Sequence, residues 1–168
     1  MPRLSSLLVL LAAACGGDAA DSATLCEAGG ATSGQVTGTL DGRPWAVDAT
    51  WSWSGDAVQV TTSTADGWRM TLVAQRDVDG RSVREASEQG GGSVTVDLSA
   101  DDGFAVLYPE AGGTSLSSKE GSGLLVLTDL GTADGSGTVA GCLSFDAKTA
   151  GGGESVALVG GLMSATPL

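Results

Sequence analysis

The chain has 168 residues, 20 acids against 8 bases and no histidine, for a formal net charge of −12. An acidic surface of that size repels phosphate backbones, so a nucleic-acid partner is excluded. The missing imidazole excludes Ser-His-Asp and Cys-His nucleophile activation and the common zinc hydrolase sites. Isoleucine and asparagine are also absent and lysine occurs only at Lys119 and Lys148. That bias is the mark of a GC-rich coding sequence, so the abundance of Gly, Ala and Asp says little about function.

The first predicted element is an export signal. Arg3 precedes about eleven mostly apolar residues, Leu4 to Ala14, and small side chains then lead to a cleavage point. The stretch is shorter than the roughly twenty apolar residues that span a bilayer. Its end, Ala12-Ala13-Ala14-Cys15-Gly16, resembles the lipobox of bacterial lipoproteins. The resemblance implies removal of residues 1–14 and acylation of Cys15 with chains such as palmitate. It thus implies a membrane partner held through the lipid anchor, stable because several acyl chains insert together. Gly16 stands where an aspartate would mark inner-membrane retention, which favours the outer membrane of the cell envelope, on its periplasmic or surface face. Ala12 replaces the commoner leucine, and Ala12 with Ala14 also fits an ordinary signal peptidase, which would release a soluble chain with a free Cys15. Cleavage leaves 168 − 14 = 154 residues at a charge of −13, since Arg3 is lost, and that length suits one domain.

Residues 15–34 are mostly Gly, Ala, Ser and Asp with little to bury, and predict a flexible tether that carries Cys26. From Gln35 the pattern turns period two, the signature of half-buried strands. Val36, Gly38 and Leu40 share a face before an Asp41-Gly42 turn. Trp45, Val47, Ala49, Trp51 and Trp53 then alternate with Ala46, Asp48, Thr50 and Ser52 in one long strand. Val58 and Val60, then Trp68, Met70, Leu72 and Ala74, follow behind Gly55-Asp56 and Asp66-Gly67 turns, as in an antiparallel meander.

Gln75 to Gly92 breaks the rhythm and reads as a long loop, although Ser82 with Glu85 fits a capping box and allows a helical turn. Strands resume at Val94, Val96 and Leu98, and again after Asp102-Gly103 with Phe104, Val106 and Tyr108. Pro109 to Gly121 reads as a second polar loop. Leu124-Leu125-Val126-Leu127 is apolar on both faces and predicts a strand covered on both sides or one at the middle of a sheet. Val139, Gly141, Leu143 and Phe145 alternate with Cys142 and Ser144, and a last strand runs from Ser155 to Met163. About nine strands and no convincing helix predict an all-β domain over 35–168, an antiparallel β-sandwich or a partly open barrel.

In an oxidising compartment Cys26 and Cys142 make an even pair once Cys15 is lipidated, and a bond between them would clamp the tether across the outside of a late strand. Two independent thiols are the alternative. The segments Gly38-Thr39-Leu40-Asp41-Gly42-Arg43-Pro44-Trp45, Gly121-Ser122-Gly123 and Gly137 to Phe145 resemble those of small exported bacterial lipoproteins whose all-β domain has no assigned function. The resemblance spans most of residues 35–163 and carries over no catalytic residues.

Trp45, Trp51, Trp53 and Trp68 are the candidate ligand-binding residues, because indole faces stack on sugars; their step with Val47, Ala49, Met70 and Leu72 favours the core over that role. Asp77-Val78-Asp79-Gly80 echoes a calcium loop, but Gln75 and Ala86 occupy its first and closing ligand positions, which leaves solvated turn carboxylates and no expected metal. No G-x-S-x-G, phosphate-cradling loop, C-x-x-C or distinguishable carboxylate pair occurs, so neither an enzyme nor a cofactor is expected. The expected function is that of a lipid-anchored envelope domain that binds or builds, with an envelope protein or a glycan as partner. The alternative is a glycan-binding module with one exposed tryptophan.

Overall fold

The computed structural model describes Cys26, residues 31–90 and residues 92–168; the predicted leader, Cys15 and most of the predicted tether lie outside them. Among the described residues there are nine strands: β1 (Gln35–Leu40), β2 (Arg43–Ser54), β3 (Ala57–Thr62), β4 (Trp68–Ala74), β5 (Val94–Asp97), β6 (Gly103–Pro109), β7 (Leu116–Leu130), β8 (Val139–Lys148) and β9 (Ser155–Pro167). One helix, α1 (Val83–Glu88), lies between β4 and β5.

The Asp41-Gly42 and Asp66-Gly67 turns have positive φ at both residues, the geometry that lets a two-residue turn match the twist of its strands. Eight strands are paired in the order β7-β6-β4-β3-β2-β1-β9-β8, and β8 returns to β7 from Ser117↔Lys148 to Leu130↔Val139, closing a barrel. All of these ring pairings are antiparallel; β2 also touches β9 in parallel at Thr50↔Thr166 and Trp51↔Pro167. β6 holds β7 only at Leu116 and Ser117, and β5 then takes the same flank of β7 from Leu124 to Leu127. The expectation of a sandwich or an open barrel is therefore corrected to a closed eight-stranded barrel with one added strand. Alternation looks the same in all three; what differs is the β7–β8 pairing, which joins the two ends of the eight-stranded ring and leaves only the short β5 with an outer edge.

An eight-stranded barrel is just wide enough inside for side chains to fill it. Here Val36, Trp45, Trp51, Leu72, Leu143 and Met163 belong to one continuous buried cluster that draws on all nine strands. Val83 and Ala86 of α1 join the same cluster, so the helix lies across one end of the barrel as part of the core.

Two expected loops are partly regular structure. The Ser82 side chain accepts from the Glu85 amide at 3.0 Å, and this cap starts α1 within the first loop. In the second, β7 begins at Leu116 and buries both Leu116 and Ser118 completely. Ser118 belongs inside because its hydroxyl donates to the Leu98 carbonyl and accepts from the Ala105 amide, standing in for a missing backbone partner. In β6 the inward side chains are Ala105 and Leu107, and the larger Phe104, Val106 and Tyr108 point outward. Cations cover the two rings there: Arg69 lies 5.2 Å from the Tyr108 centroid and Lys119 5.2 Å from that of Phe104.

Residues just ahead of β1 are hydrogen-bonded to the barrel. Ala49 donates to the Gly34 carbonyl at 2.7 Å, and Gln35 to that of Thr32 at 3.1 Å. Cys26 is bonded to Cys142, with Cα atoms 5.4 Å apart. Cys142 points out from β8, and with Cys26, Val126 and Leu162 it forms a second, small apolar cluster on the outer wall. That cluster explains why Leu124 to Leu127 is apolar on both faces: Leu125 and Leu127 fill the core while Val126 lies under the disulfide.

Candidate functional site

The four tryptophans divide between the two ends of the barrel. Trp45 is buried and its indole N–H donates to the Ala65 carbonyl at 3.1 Å. Ala65 also exchanges backbone hydrogen bonds with Trp68, so both residues meet the β3–β4 turn; Trp68 is half-buried against the core. At the α1 end Trp51 is buried and donates to the Gly137 carbonyl at 3.1 Å. The Trp53 ring stands edge-on to it, with centroids 5.7 Å apart at 87°. Trp53 is half-buried, and its N–H donates to the Thr132 carbonyl at 2.9 Å.

Arg84, on the outward side of α1, covers the Trp53 ring at 5.3 Å. It donates to the carbonyls of Gly55 and Ala133, each at 3.1 Å, and pairs with Glu88 at 3.5 Å. Ser87 adds a hydrogen bond to the Gly131 carbonyl at 3.1 Å. One short helix thereby ties the β2–β3 turn to the β7–β8 loop. The sequence signal for this clasp was the Ser82/Glu85 box; nothing in it marked Arg84. Two hydrogen bonds from a charged donor and a cation–π contact, partly exposed, set an expected loss of about 1–3 kcal/mol for Arg84→Ala. A lower urea midpoint with a red-shifted Trp53 emission checks it.

Beside the clasp lies an open groove of about 510 Å³ between Glu88 and Gly90 on one side and Thr128 to Ala133 on the other. Its carboxylates are engaged: Glu88 faces Arg84, and Asp129 accepts from the Gly131 amide at 3.1 Å. The adjacent loop is self-contained. Asp134 accepts from the hydroxyls of Thr132 and Ser136 and from the Ser136 amide, and these donors hold its carboxyl below the usual range.

Asp77, read from sequence as a solvated turn carboxylate, is instead 4% exposed. It accepts from the amides of Arg81 at 2.8 Å and Asp79 at 3.1 Å, and from the Arg81 side chain at 3.0 Å. Burial pushes the carboxyl up, but the Arg81 amide and guanidinium together outweigh it and leave the Asp77 pKa below its ordinary 3.8. A pKa depressed on folding contributes stability that is complete above about pH 4 and is lost as the pH falls through the folded value. Asp77→Ala is therefore expected to cost about 1–3 kcal/mol at neutral pH. The gap to the parent should shrink in urea titrations below pH 4.

Among the described residues no three His, Cys, Asp or Glu side chains come together as metal ligands. Asp77 and Asp134 are both held low, opposite to what a general acid needs. Of the predicted site residues, the structure brings Trp51 and Trp53 together at one end, meets Trp45 and Trp68 at the other, and joins Cys26 to Cys142; Cys15 lies outside the described residues. No family model, curated protein or solved structure matches this chain.

Proposed function

We propose that the chain is a lipid-anchored protein of the cell envelope whose barrel binds a partner or builds surface structure without catalysis. The observation that supports the non-catalytic part is the filled interior: one apolar cluster draws on every strand, which leaves chemistry only the outer surface. On that surface Glu88 and Asp129, which line the groove, and Asp134 beside it are bound to Arg84, to an amide or to hydroxyls. The lipid part rests on Ala12 to Gly16 and their likeness to a lipobox. Expression in a bacterial host with radiolabelled palmitate tests it. Label is expected in the parent and absent from Cys15→Ser, and an unlabelled parent would dispose of the anchor.

The glycan alternative has less to stand on. Trp45 and Trp51 present no face to solvent, and Arg84 covers that of Trp53. Trp68 is the remaining platform, and a titration across neutral glycans that leaves tryptophan emission unchanged is the expected result.

A further inference from the structure

The Cys26–Cys142 bond lies outside everything that closes the barrel. Cys26 belongs to no strand, and β1 begins only at Gln35. Cys142 projects from the outer side of β8, while Val139, Leu143, Phe145 and Ala147 of the same strand fill the core. β8 is held by nine residue pairs to β7 and nine to β9, from Val139 to Lys148. The apolar contacts around the bond are those of the separate cluster with Val126 and Leu162.

We propose that this disulfide is a releasable strap, distinct from the structural core: a dithiol reductant opens it while the barrel stays closed. Opening frees Cys26 from the outer wall and uncovers Val126 and Leu162. Cys26 is the more exposed partner, half-buried where Cys142 is 5% exposed, and is the point of attack. A thiolate of the reductant, in the cell an exported thiol–disulfide oxidoreductase, bonds to the Cys26 sulfur and the S–S pair leaves on Cys142, which takes a proton. The second thiol of the reductant then displaces Cys26, which is protonated in turn. Two electrons and two protons pass to the protein, and the reductant leaves as its own disulfide. The strap rests on the export reading only for its cellular setting, so the test uses the purified full chain and the two can fail separately.

The chain is incubated with dithiothreitol without denaturant, alkylated and peptide-mapped, and the near-ultraviolet circular dichroism of Trp45 and Trp51 is followed in parallel. Expected is alkylation of both Cys26 and Cys142 with the tryptophan signal retained. Cys26→Ser should show the same signal, and its β7, β8 and β9 amides should stay protected from exchange. A tryptophan signal that collapses on reduction, or a Cys26→Ser chain that does not fold, would make the bond a staple of the barrel and overturn the proposal. So would a Cys142 that resists alkylation until denaturant is added.

Discussion

Gly141→Val is expected to leave the chain unable to close its barrel, with near-ultraviolet dichroism lost and most of the protein insoluble. Gly141 sits on the inward side of β8, opposite Leu127, where the pairing with β7 slips between Leu127 and Asp129. A Cβ built there would stand 2.2 Å from the Val126 carbonyl oxygen and 3.0 Å from the Leu127 Cα. Both are backbone atoms of the paired strand, so no side chain can turn aside and β7 itself must move. Glycine inside a strand marks such close approaches. Ordinary overpacking costs about 1–3 kcal/mol, and a clash with the ladder exceeds it because the hydrogen bonds that close the ring are lost as well. Set against a total stability of about 5–15 kcal/mol, that loss decides the fold. Ala140→Val, one residue earlier and outward-facing, should fold and differ by less than about 1 kcal/mol. Solubility and urea midpoints of the two variants make the comparison.

Gly141 also shows how far the sequence could be read. The alternation Val139, Gly141, Leu143, Phe145 was visible, and so was the outward phase of Cys142, because period two is a local property. What the glycine does was not visible, since the atom it avoids belongs to another strand. The same divide runs through the whole fold. Trp45, Val47, Ala49 and Trp51 were legible as one inner face and are all buried. The ring closure between β7 and β8 was not, because a sandwich and a barrel bury the same residues and differ only in who pairs with whom.

Side-chain chemistry misled where a polar group found a partner inside. Ser118 sits among Ser117, Lys119 and Glu120 and looks like loop, yet its hydroxyl serves two backbone groups in the interior. Asp77 looks like a turn acid and is buried by the amides and guanidinium that ring it. Phe104, Val106 and Tyr108 mislead in the other direction. Their size suggests an inner face, but the cations of Lys119 and Arg69 cover the two rings outside while Ala105 and Leu107 take the core. At the α1 end the capping box was readable but Arg84 was not, since its partners lie 29 and 49 positions away.

Trp51→Ala is expected to be the most damaging truncation that still permits folding, at about 3–5 kcal/mol. For a chain of this length that lowers the melting temperature by roughly 10 °C. Trp51 is among the largest fully buried side chains, and the space it leaves is bounded by strands that cannot collapse without breaking the ring. The loss would also spread into the β7–β8 loop, because Trp51 holds the Gly137 carbonyl and its ring lies where a Gly131 Cβ would come within 2.5 Å. Trp51→Phe separates the two effects. It keeps much of the apolar volume but gives up the indole N–H, and a lost hydrogen bond to a half-buried carbonyl is worth about 1 kcal/mol. If packing dominates, the phenylalanine variant recovers most of the melting temperature while Trp53 emission still reports a loosened loop. A phenylalanine variant as unstable as the alanine one would mean that the hydrogen bond to Gly137, and not the filled interior, holds this end of the barrel together.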